Sequence, residues 1–266
     1  MSYKLLNDQT ISQIKDMSKL AGIEIMKIYK TDFSVSIKSD HSPVTKADKN
    51  ANNVILKGLS KLPIKYPILS EEGVPISYQE RAAWKSFWLV DPLDGTKEFI
   101  KKNDEFTVNI AFINNNIPVF GVVYAPVYDL MFWGGEDVGA FKAKGDEPFT
   151  RISVKSDFID PIRIASSRSH PSGEMDLFLK QFKKYNLISM GSSLKICSVA
   201  DGSVHLYPRL GPTMEWDTAA SHAIVKASGG DLIEYGTNNT LSYNKEDLLN
   251  PKFIAGNIDK IKNLSM

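Results

Sequence analysis

The sequence predicts a protein of the α+β class, and three observations lead to that prediction. Apolar residues recur at helical spacing in two stretches near the N-terminus. Short apolar runs bounded by glycine, proline and other turn residues follow them, a pattern that is typical of strands. In the second half of the chain, apolar runs and helical patterns alternate, which indicates an α/β arrangement.

Two helices are predicted in the N-terminal region. The first covers residues 11–28, with its apolar side chains on one face and with Asp8 or Thr10 as its cap. The second begins near Thr45 and places Asp48 in or near its first turn. A favourable interaction with the helix dipole is by itself enough to explain an acidic residue there.

Strands are predicted for the middle of the chain. The apolar runs occupy residues 68–69, 87–90, 108–113, 119–124 and 130–133. Turn-forming residues at 114–116 and 126–129 join the last three runs, so we expect an antiparallel meander.

A second, α/β domain is predicted for the C-terminal part of the chain. Its expected strands cover residues 162–165, 187–190 and 204–207, and its expected helices cover residues 172–185, 193–200 and 217–227. We place the boundary near residue 150, which gives an N-terminal α+β domain over residues 1–150 and a C-terminal α/β domain over residues 151–266.

Composition excludes several classes of function. The chain has 32 Lys and Arg against 31 Asp and Glu, so no overall field attracts a nucleic acid or an anionic membrane. The single cysteine, Cys197, rules out an intramolecular disulfide and a multi-cysteine zinc site. No apolar run approaches the roughly 20 residues of a spanning helix, and the N-terminus lacks the pattern of a signal peptide. We expect a cytoplasmic protein with no integral membrane segment and no nucleic-acid partner. Peripheral contact with the inner face of the cell membrane and the oligomeric state stay open.

Acidic residues follow the predicted strands and open a predicted helix. Glu71 and Glu72 come after residues 67–70, and Asp91 and Asp94 come after the run at 87–90. Asp217 opens the helix predicted over residues 217–227. Pro92 is expected to end that strand directly after Asp91, and Asp94-Gly95 to turn the chain into a short helix. This turn places both carboxylates on one side. Catalytic groups concentrate on such loops.

The chemistry of these residues favours a magnesium site. Carboxylates without clustered histidines suit Mg2+ better than Zn2+. The turn directs the carbonyl of Leu93 at a metal, while the amides of Gly95 and Thr96 point at an anion. Taken singly, each feature has a simpler explanation. Asp94-Gly95 is a common hairpin turn, Glu71-Glu72 a solvated loop and Asp217 a helix cap.

Taken together, four motifs resemble one known superfamily. PVTKAD (43–48), LSEEG (69–73), DPLDGTKEF (91–99) and WDTAASHAIVKASGG (216–230) occur in the order found in the inositol monophosphatase superfamily of lithium-sensitive, Mg2+-dependent phosphatases. The resemblance covers nearly the whole chain, and the bacterial 3'(2'),5'-bisphosphate nucleotidase branch is the most similar. It implies a five-layered αβαβα sandwich.

The resemblance also implies roles for individual residues. Glu71, Asp91 and the carbonyl of Leu93 would bind one Mg2+, while Asp91, Asp94 and Asp217 would bind a second, with two or three ions in all. Thr96 would orient the attacking water with help from Asp48 or Glu71, and the Gly95 and Thr96 amides would contact the phosphate. The implied reaction is in-line hydrolysis of a phosphomonoester without a covalent intermediate.

Substrate choice depends on the segment before the WD motif. Inositol monophosphatases usually carry an acidic residue there, whereas this chain has Tyr207-Pro208-Arg209. A guanidinium suits a second phosphate. Further candidates for substrate contact are Ser192, Ser193 and Lys195 in GSSLK (191–195), His170 in SSRSH (166–170), and Asp217. We therefore expect adenosine 3',5'-bisphosphate to be hydrolysed at its 3' position to AMP, which would remove an inhibitory by-product of sulfate assimilation.

Alternatives remain at this point. Arg209 could instead pair with a nearby carboxylate, and Lys195 could be a solvated charge on a helix. The chain could be an inositol or sugar monophosphatase of the same superfamily, or a non-catalytic sensor of a nucleotide or metal. A single-stranded nucleic-acid binder is disfavoured because basic and aromatic residues do not alternate in one patch.

Overall fold

The computed structural model describes residues 6–37, 43–168, 173–262 and 264. Two helices open this fold, α1 (Asp8–Tyr29) and, after the short antiparallel strands β1 (Val35–Ile37) and β2 (Pro43–Thr45), α2 (Lys46–Leu59). Both helices were predicted. The expected cap of α1 was wrong, because the side chain of Asn7 accepts a hydrogen bond from the amide of Thr10 at 2.8 Å, and Asp8 already belongs to the helix.

A seven-stranded sheet follows α2. Its elements in chain order are β3 (Ile68–Ser70), α3 (Tyr78–Arg81), β4 (Ser86–Asp94), α4 (Thr96–Ile100), β5 (Thr107–Asn114), β6 (Ile117–Ala125), β7 (Leu130–Gly135), β8 (Gly139–Lys144) and β9 (Thr150–Arg151). The strands lie side by side in that order, with β3 parallel to β4 and every other pair antiparallel. The predicted meander is confirmed.

Strand β4 continues through the proline that was expected to end it. Pairing with β5 runs to Asp94, with a shift of register between Asp91 and Asp94. Proline cannot donate to the ladder, and such an irregularity is the place where a sheet tolerates it. The two carboxylates therefore lie at the distorted end of a paired strand.

The C-terminal part forms a five-stranded sheet with its own helices. Its elements are β10 (Ile162–Ser167), α5 (Gly173–Leu179), β11 (Tyr185–Met190), α6 (Leu194–Ala200), β12 (Leu206–Arg209), α7 (Glu215–Ala227), β13 (Gly230–Glu234), β14 (Phe253–Asn257) and α8 (Ile258–Ile261). The spatial order of the strands is β11-β10-β12-β14-β13. The predicted helix over 172–185 was too long, because Tyr185 pairs with Ile162 as the first residue of β11.

Three apolar clusters separate five layers. The first lies between α1, α2 and one face of the seven-stranded sheet, and it includes Ile14, Ile55, Trp88 and Phe112. The second lies between the two sheets around α6 and α7, and it includes Phe87, Cys197, Ile224 and Phe253. The third packs α5 and α8 on the far face of the five-stranded sheet through Phe178, Ile254 and Ile261. This confirms the αβαβα sandwich.

The two halves of the chain share the middle layer. Helix α7 belongs to the C-terminal part, yet it contacts β5, β6 and β7 of the first sheet. The division near residue 150 into two domains stays a prediction. Among the described residues, no helix has the combination of length and apolar character needed to cross a bilayer.

Candidate active site

Three aspartates meet between the end of β4 and the start of α7. Asp91, Asp94 and Asp217 each offer a carboxylate oxygen, and these atoms lie within 4.8 Å of one another. Asp91 is buried, and Asp217 is the third residue of α7. Packing of α7 against the first sheet thus joins residues that are more than 120 positions apart in the sequence.

Glu71 belongs to the same acidic cluster. It follows β3, whose Ser70 is paired with Val90 of β4, so parallel pairing places it next to Asp91. Burial raises the pKa of Asp91 well above its usual value, and the negative charges of Glu71, Asp94 and Asp217 raise it further. A hydrogen bond joins the Glu71 and Asp91 side chains.

This acidic cluster fits a hard divalent cation. Burial raises the pKa of Asp217 as well, and the negative charges of Asp94 and Glu71 raise it further. Four carboxyl groups held this close repel one another, and a bound cation would relieve that repulsion. Oxygen donors of this kind are the ligands that Mg2+ and Ca2+ prefer. The residues present therefore suit the magnesium that the sequence predicts.

A hydroxyl group lies beside the cluster. The Thr96 hydroxyl is 3.2 Å from Oδ1 of Asp48 and 3.3 Å from the carbonyl oxygen of Leu93. Oδ2 of Asp48 accepts hydrogen bonds from the amide and the hydroxyl of Thr45, both at 2.7 Å. Asp48 is thus the capping partner of α2 and also the group that fixes Thr96, so neither explanation of this residue excludes the other.

The turn between β4 and α4 depends on Gly95. Its φ of 91° lies in the left-handed region that glycine adopts without strain. The chain can therefore pass from Asp94 into α4 within one residue, and Thr96 becomes the first residue of that helix. The predicted placement of both carboxylates on one side of this turn is confirmed, because carboxylate oxygens of Asp91 and Asp94 lie within 4.8 Å of each other.

Ser193 links the cluster to the loop before α6. Its Oγ lies 2.8 Å from Oδ2 of Asp94 and 2.7 Å from the carbonyl oxygen of Asp217, and it accepts a hydrogen bond from Nδ2 of Asn109 at 2.9 Å. Asn109 was not among the predicted site residues. Its signal is a pair of polar residues, Thr107 and Asn109, that alternate at the start of an otherwise apolar strand.

Basic groups line the other side of the site. Lys195 is buried, donates from Nζ to the carbonyl oxygen of Ser192 at 2.6 Å, and lies 5.6 Å from the centre of the Tyr207 ring. Burial lowers the pKa of its ammonium to about 8, although the charge of Asp94 opposes that shift. Lys195 is therefore not the solvated helix charge considered above.

Two further polar groups on this side carry unused hydrogen-bonding capacity. Arg209 donates from Nη2 to the carbonyl oxygen of Pro212 at 2.6 Å, whereas its buried Nε has no partner among the described residues. The hydroxyl of Ser192 is likewise buried and unpartnered there, and its backbone φ is 44°. Buried polar groups without partners are uncommon in folded proteins.

These groups line two adjoining cavities of about 110 and 370 Å³. The residues that line both are Asp94, Gly95, Lys97, Glu98, Arg209, Thr213 and Asp217. Ser192, Ser193 and Lys195 line the smaller cavity, and Glu71 and Thr96 line the larger one. Asp48, Asp91 and Leu93 do not line either cavity but lie next to lining residues, Asp48 and Leu93 through the Thr96 hydroxyl and Asp91 beside Asp94. His170, the remaining candidate, lies outside the described residues.

Comparison with known proteins agrees with this geometry. Residues 6–265 match the model of the inositol monophosphatase family. The chain belongs to this family. Among curated relatives it is 45% identical to "3'(2'),5'-bisphosphate nucleotidase CysQ" of Salmonella typhimurium over 246 residues, which covers 91% of this chain and 98% of the relative. The protein of the same name from Escherichia coli K12 is 44% identical over the same shares.

Solved structures give the same result for the inositol monophosphatase fold. CysQ from Bacteroides thetaiotaomicron, described as a bacterial member of the family, superimposes with a TM-score of 0.85 at 42% identity. The match covers 96% of this chain and 99% of that one. The layered architecture predicted from the motifs is therefore shown independently by the fold and by the family model.

Proposed function

We propose that this member of the inositol monophosphatase family is a Mg2+-dependent 3'(2'),5'-bisphosphate nucleotidase. It hydrolyses the 3'-phosphate of adenosine 3',5'-bisphosphate and yields AMP and phosphate. The observation that carries the proposal is the position of Lys195 and Arg209, which line the same cavity as Asp94 and Asp217. The names of the relatives at 44–45% identity support it.

The acidic cluster supplies the metal ligands in this proposal. Glu71, Asp91 and the Leu93 carbonyl would hold one Mg2+, and Asp91, Asp94 and Asp217 would hold a second, with two or three ions in all. When bound, Mg2+ lowers the pKa of a coordinated water and neutralises charge on the phosphoryl oxygens. Asp91 lies close to both Asp94 and Asp217 and would contribute to holding both ions.

Thr96 and Asp48 position the attacking water. The Thr96 hydroxyl donates to Asp48, so the lone pairs of the Thr96 oxygen can accept a hydrogen bond from the water, and the Asp48 carboxylate can receive the proton that is relayed through this hydroxyl. Glu71 lines the same cavity and assists. The water oxygen forms a bond to phosphorus as the opposite P–O3' bond breaks, and the departing 3' oxygen takes up a proton from solvent, so no covalent intermediate forms. The amides of Gly95 and Thr96 contact the phosphoryl group as its charge develops.

The second phosphate of the substrate meets the basic side of the cavity. The guanidinium of Arg209 and the ammonium of Lys195 provide charge, and the unpartnered Ser192 hydroxyl provides a further donor. Ser193 lies between this region and the acidic cluster. His170 remains the candidate for contact with the base or ribose.

Phosphate release from a substrate panel tests the proposal. We expect Mg2+-stimulated turnover of adenosine 3',5'-bisphosphate and weak turnover of inositol 1-phosphate. Arg209→Ala should weaken binding of the bisphosphate by about 1–3 kcal/mol and leave binding of adenosine 3'-monophosphate unchanged. The matched control is Arg151→Ala, on the exposed strand β9. It should not change the binding or turnover of either substrate.

Two outcomes would replace the proposal with another. A clear preference for inositol 1-phosphate indicates an inositol monophosphatase, and binding of the nucleotide without Mg2+-stimulated turnover indicates a sensor. Inhibition by Li+ and a role in clearing a by-product of sulfate assimilation belong to the same proposal. The motif resemblance supports both.

A further inference from the structure

Glu105 joins three segments of the chain with one carboxylate. It precedes β5 and is largely buried, with 12% of its side chain exposed. Its Oε2 accepts hydrogen bonds from Nε of Arg168 and from the amide of Gly191, both at 2.7 Å, and its Oε1 accepts one from Nη2 of Arg168 at 2.7 Å. Charge-assisted, bidentate bonds of this kind are among the strongest in proteins.

The topology explains why one carboxylate reaches both partners. Arg168 follows β10 and Gly191 follows β11, and these parallel strands are paired up to Ser167 and Met190. Their carboxyl ends therefore lie side by side at one edge of the five-stranded sheet. Glu105 reaches that edge from the N-terminal half, so the contact ties the two halves together next to the cavity.

Gly191 is fitted to this contact. A Cβ at residue 191 would lie 2.7 Å from the carbonyl oxygen of Glu105 and 2.8 Å from Cγ of Glu98. Any larger residue would push Glu105 out of place. The carboxylate thus fixes the first residue of the GSSLK segment, residues 191–195, whose serines and lysine line the cavity.

The later residues of GSSLK are not held equally. Ser193 has its own anchors in Asn109, Asp94 and the carbonyl of Asp217. Among the described residues, the hydrogen bond of Ser192 is the one that its carbonyl oxygen accepts from Nζ of Lys195, within the same segment. Release of Gly191 would therefore displace Ser192, and with it the carbonyl oxygen that holds the Lys195 ammonium, while Ser193 and the acidic cluster stay in place.

We infer that Glu105 and Arg168 are positioning residues for substrate specificity, which hold Ser192 and Lys195 where they meet the second phosphate of a bisphosphate substrate. This inference rests on the proposed function. It assigns no contact with the reacting phosphoryl group to either residue. Loss of the pair should therefore affect the bisphosphate and not a substrate with the 3'-phosphate alone.

The test compares KM and kcat for adenosine 3',5'-bisphosphate and adenosine 3'-monophosphate. Arg168→Met, at a half-exposed position that should not impair folding, is expected to raise KM for the bisphosphate about five- to tenfold, with kcat within about twofold. Glu105→Gln keeps an acceptor for the Gly191 amide, so its effect should be smaller than that of Glu105→Ala. Lys252→Met breaks the exposed ion pair with Glu174 and is the control, with no change expected.

The possible results separate the inference from the proposal on which it rests. If the wild-type protein does not turn over the bisphosphate, the proposed function fails, and the inference fails with it. If the wild-type protein prefers the bisphosphate but Arg168→Met and Glu105→Gln alter both substrates equally, or neither, the inference alone is overturned. A selective rise in KM for the bisphosphate, graded from Gln to Ala at residue 105, supports it.

Discussion

The Thr96 hydroxyl lies 3.2 Å from Oδ1 of Asp48, and the other oxygen of that carboxylate is held by the amide of Thr45. The start of α2 therefore fixes the group that orients Thr96. A hydrogen-bonded path therefore runs from a helix cap to the cavity that the proposed function assigns to the substrate. The local signal that starts α2 and the proposed positioning of the water involve the same carboxylate.

Thr96→Val should lower kcat about 100-fold and leave KM for adenosine 3',5'-bisphosphate little changed, because it removes the water-orienting hydroxyl while preserving shape. Asp48→Asn should act through the same hydroxyl, so the double variant should be little worse than either single one. Steady-state kinetics measure both effects. Thr31→Val removes an exposed hydroxyl and should have no effect. If the effects of the two substitutions on kcat are fully additive, Asp48 does not act through Thr96.

Asp91→Asn should abolish both turnover and stabilisation by Mg2+. The shared ligand loses its charge, so the melting temperature of the variant should no longer rise with Mg2+ concentration, whereas that of the wild-type protein should. Asp137→Asn, at an exposed turn, should behave like the wild type. An unchanged Mg2+ response in Asp91→Asn would contradict the metal assignment.

The same variant makes a prediction about pH in the presence of a chelator. Burial and acidic neighbours raise the pKa of Asp91 in the folded protein, so its contribution to stability is present at low pH and is lost as pH rises through that raised value. Metal-free Asp91→Asn should therefore be more stable than metal-free wild type at neutral pH. Chemical denaturation should show the difference shrinking as pH falls towards about 4. A gap that widens on acidification would be the contrary result.

The Lys195 ammonium should make substrate binding depend on pH in the alkaline range. Burial lowers its pKa to about 8, so the free protein loses this charge above that pH. KM for the bisphosphate should rise accordingly between about pH 8 and pH 9, since a neutral amine attracts phosphate weakly. Lys195→Met should have a higher KM that is flat over the same range. If KM depends on pH in the same way in the wild type and in Lys195→Met, Lys195 does not bind the phosphate.

His222 should make the fold sensitive to acid. It is buried on α7, with Nε2 2.7 Å from Oδ1 of Asp231 and Nδ1 2.8 Å from the Tyr243 hydroxyl. Burial lowers the pKa of His222, so below about pH 6.5 the unfolded chain binds a proton that the folded protein rejects. The free energy of unfolding should then fall by up to about 1.4 kcal/mol per pH unit for this residue.

Denaturant titrations of His222→Gln at several pH values measure that slope. The variant should be less stable at neutral pH. Below about pH 6.5, the slope of its unfolding free energy against pH should be smaller than that of the wild type by the uptake of about one proton. Burial also lowers the pKa of His205, so His205→Gln should remove a separate part of the pH dependence of stability. Identical slopes in His222→Gln and the wild type would show that the His222 proton does not contribute.

Local signals were sufficient for much of the fold. Thr45 and Asp48 form a capping box, and the start of α2 was predicted from that stretch. Turn residues between apolar runs gave the meander. The helix over 172–185 was predicted too long because Tyr185 pairs with β10, and such pairing depends on a distant strand. Strands β13 and β14, after residue 227, were not anticipated.

The acidic cluster was predicted from motifs, whereas its supports were not. Residue type and position at strand ends indicated Glu71, Asp91 and Asp94, because catalytic groups concentrate on the loops that follow strands. Asn109 and Glu105 look like ordinary strand-border residues in the sequence. Their roles arise from contacts with Ser193 and with Gly191, which only the packing of the two sheets brings within reach.

Helix α7 brings Asp217 to residues of the first sheet, and this arrangement has a consequence for synthesis. A ribosome delivers Glu71, Asp91 and Asp94 long before Asp217, so a nascent chain released before α7 has been made holds only part of the carboxylate set. Under the proposed function, such a chain keeps the groups assigned to the first ion and lacks one ligand of the second, so chemistry that uses both ions has to wait for α7.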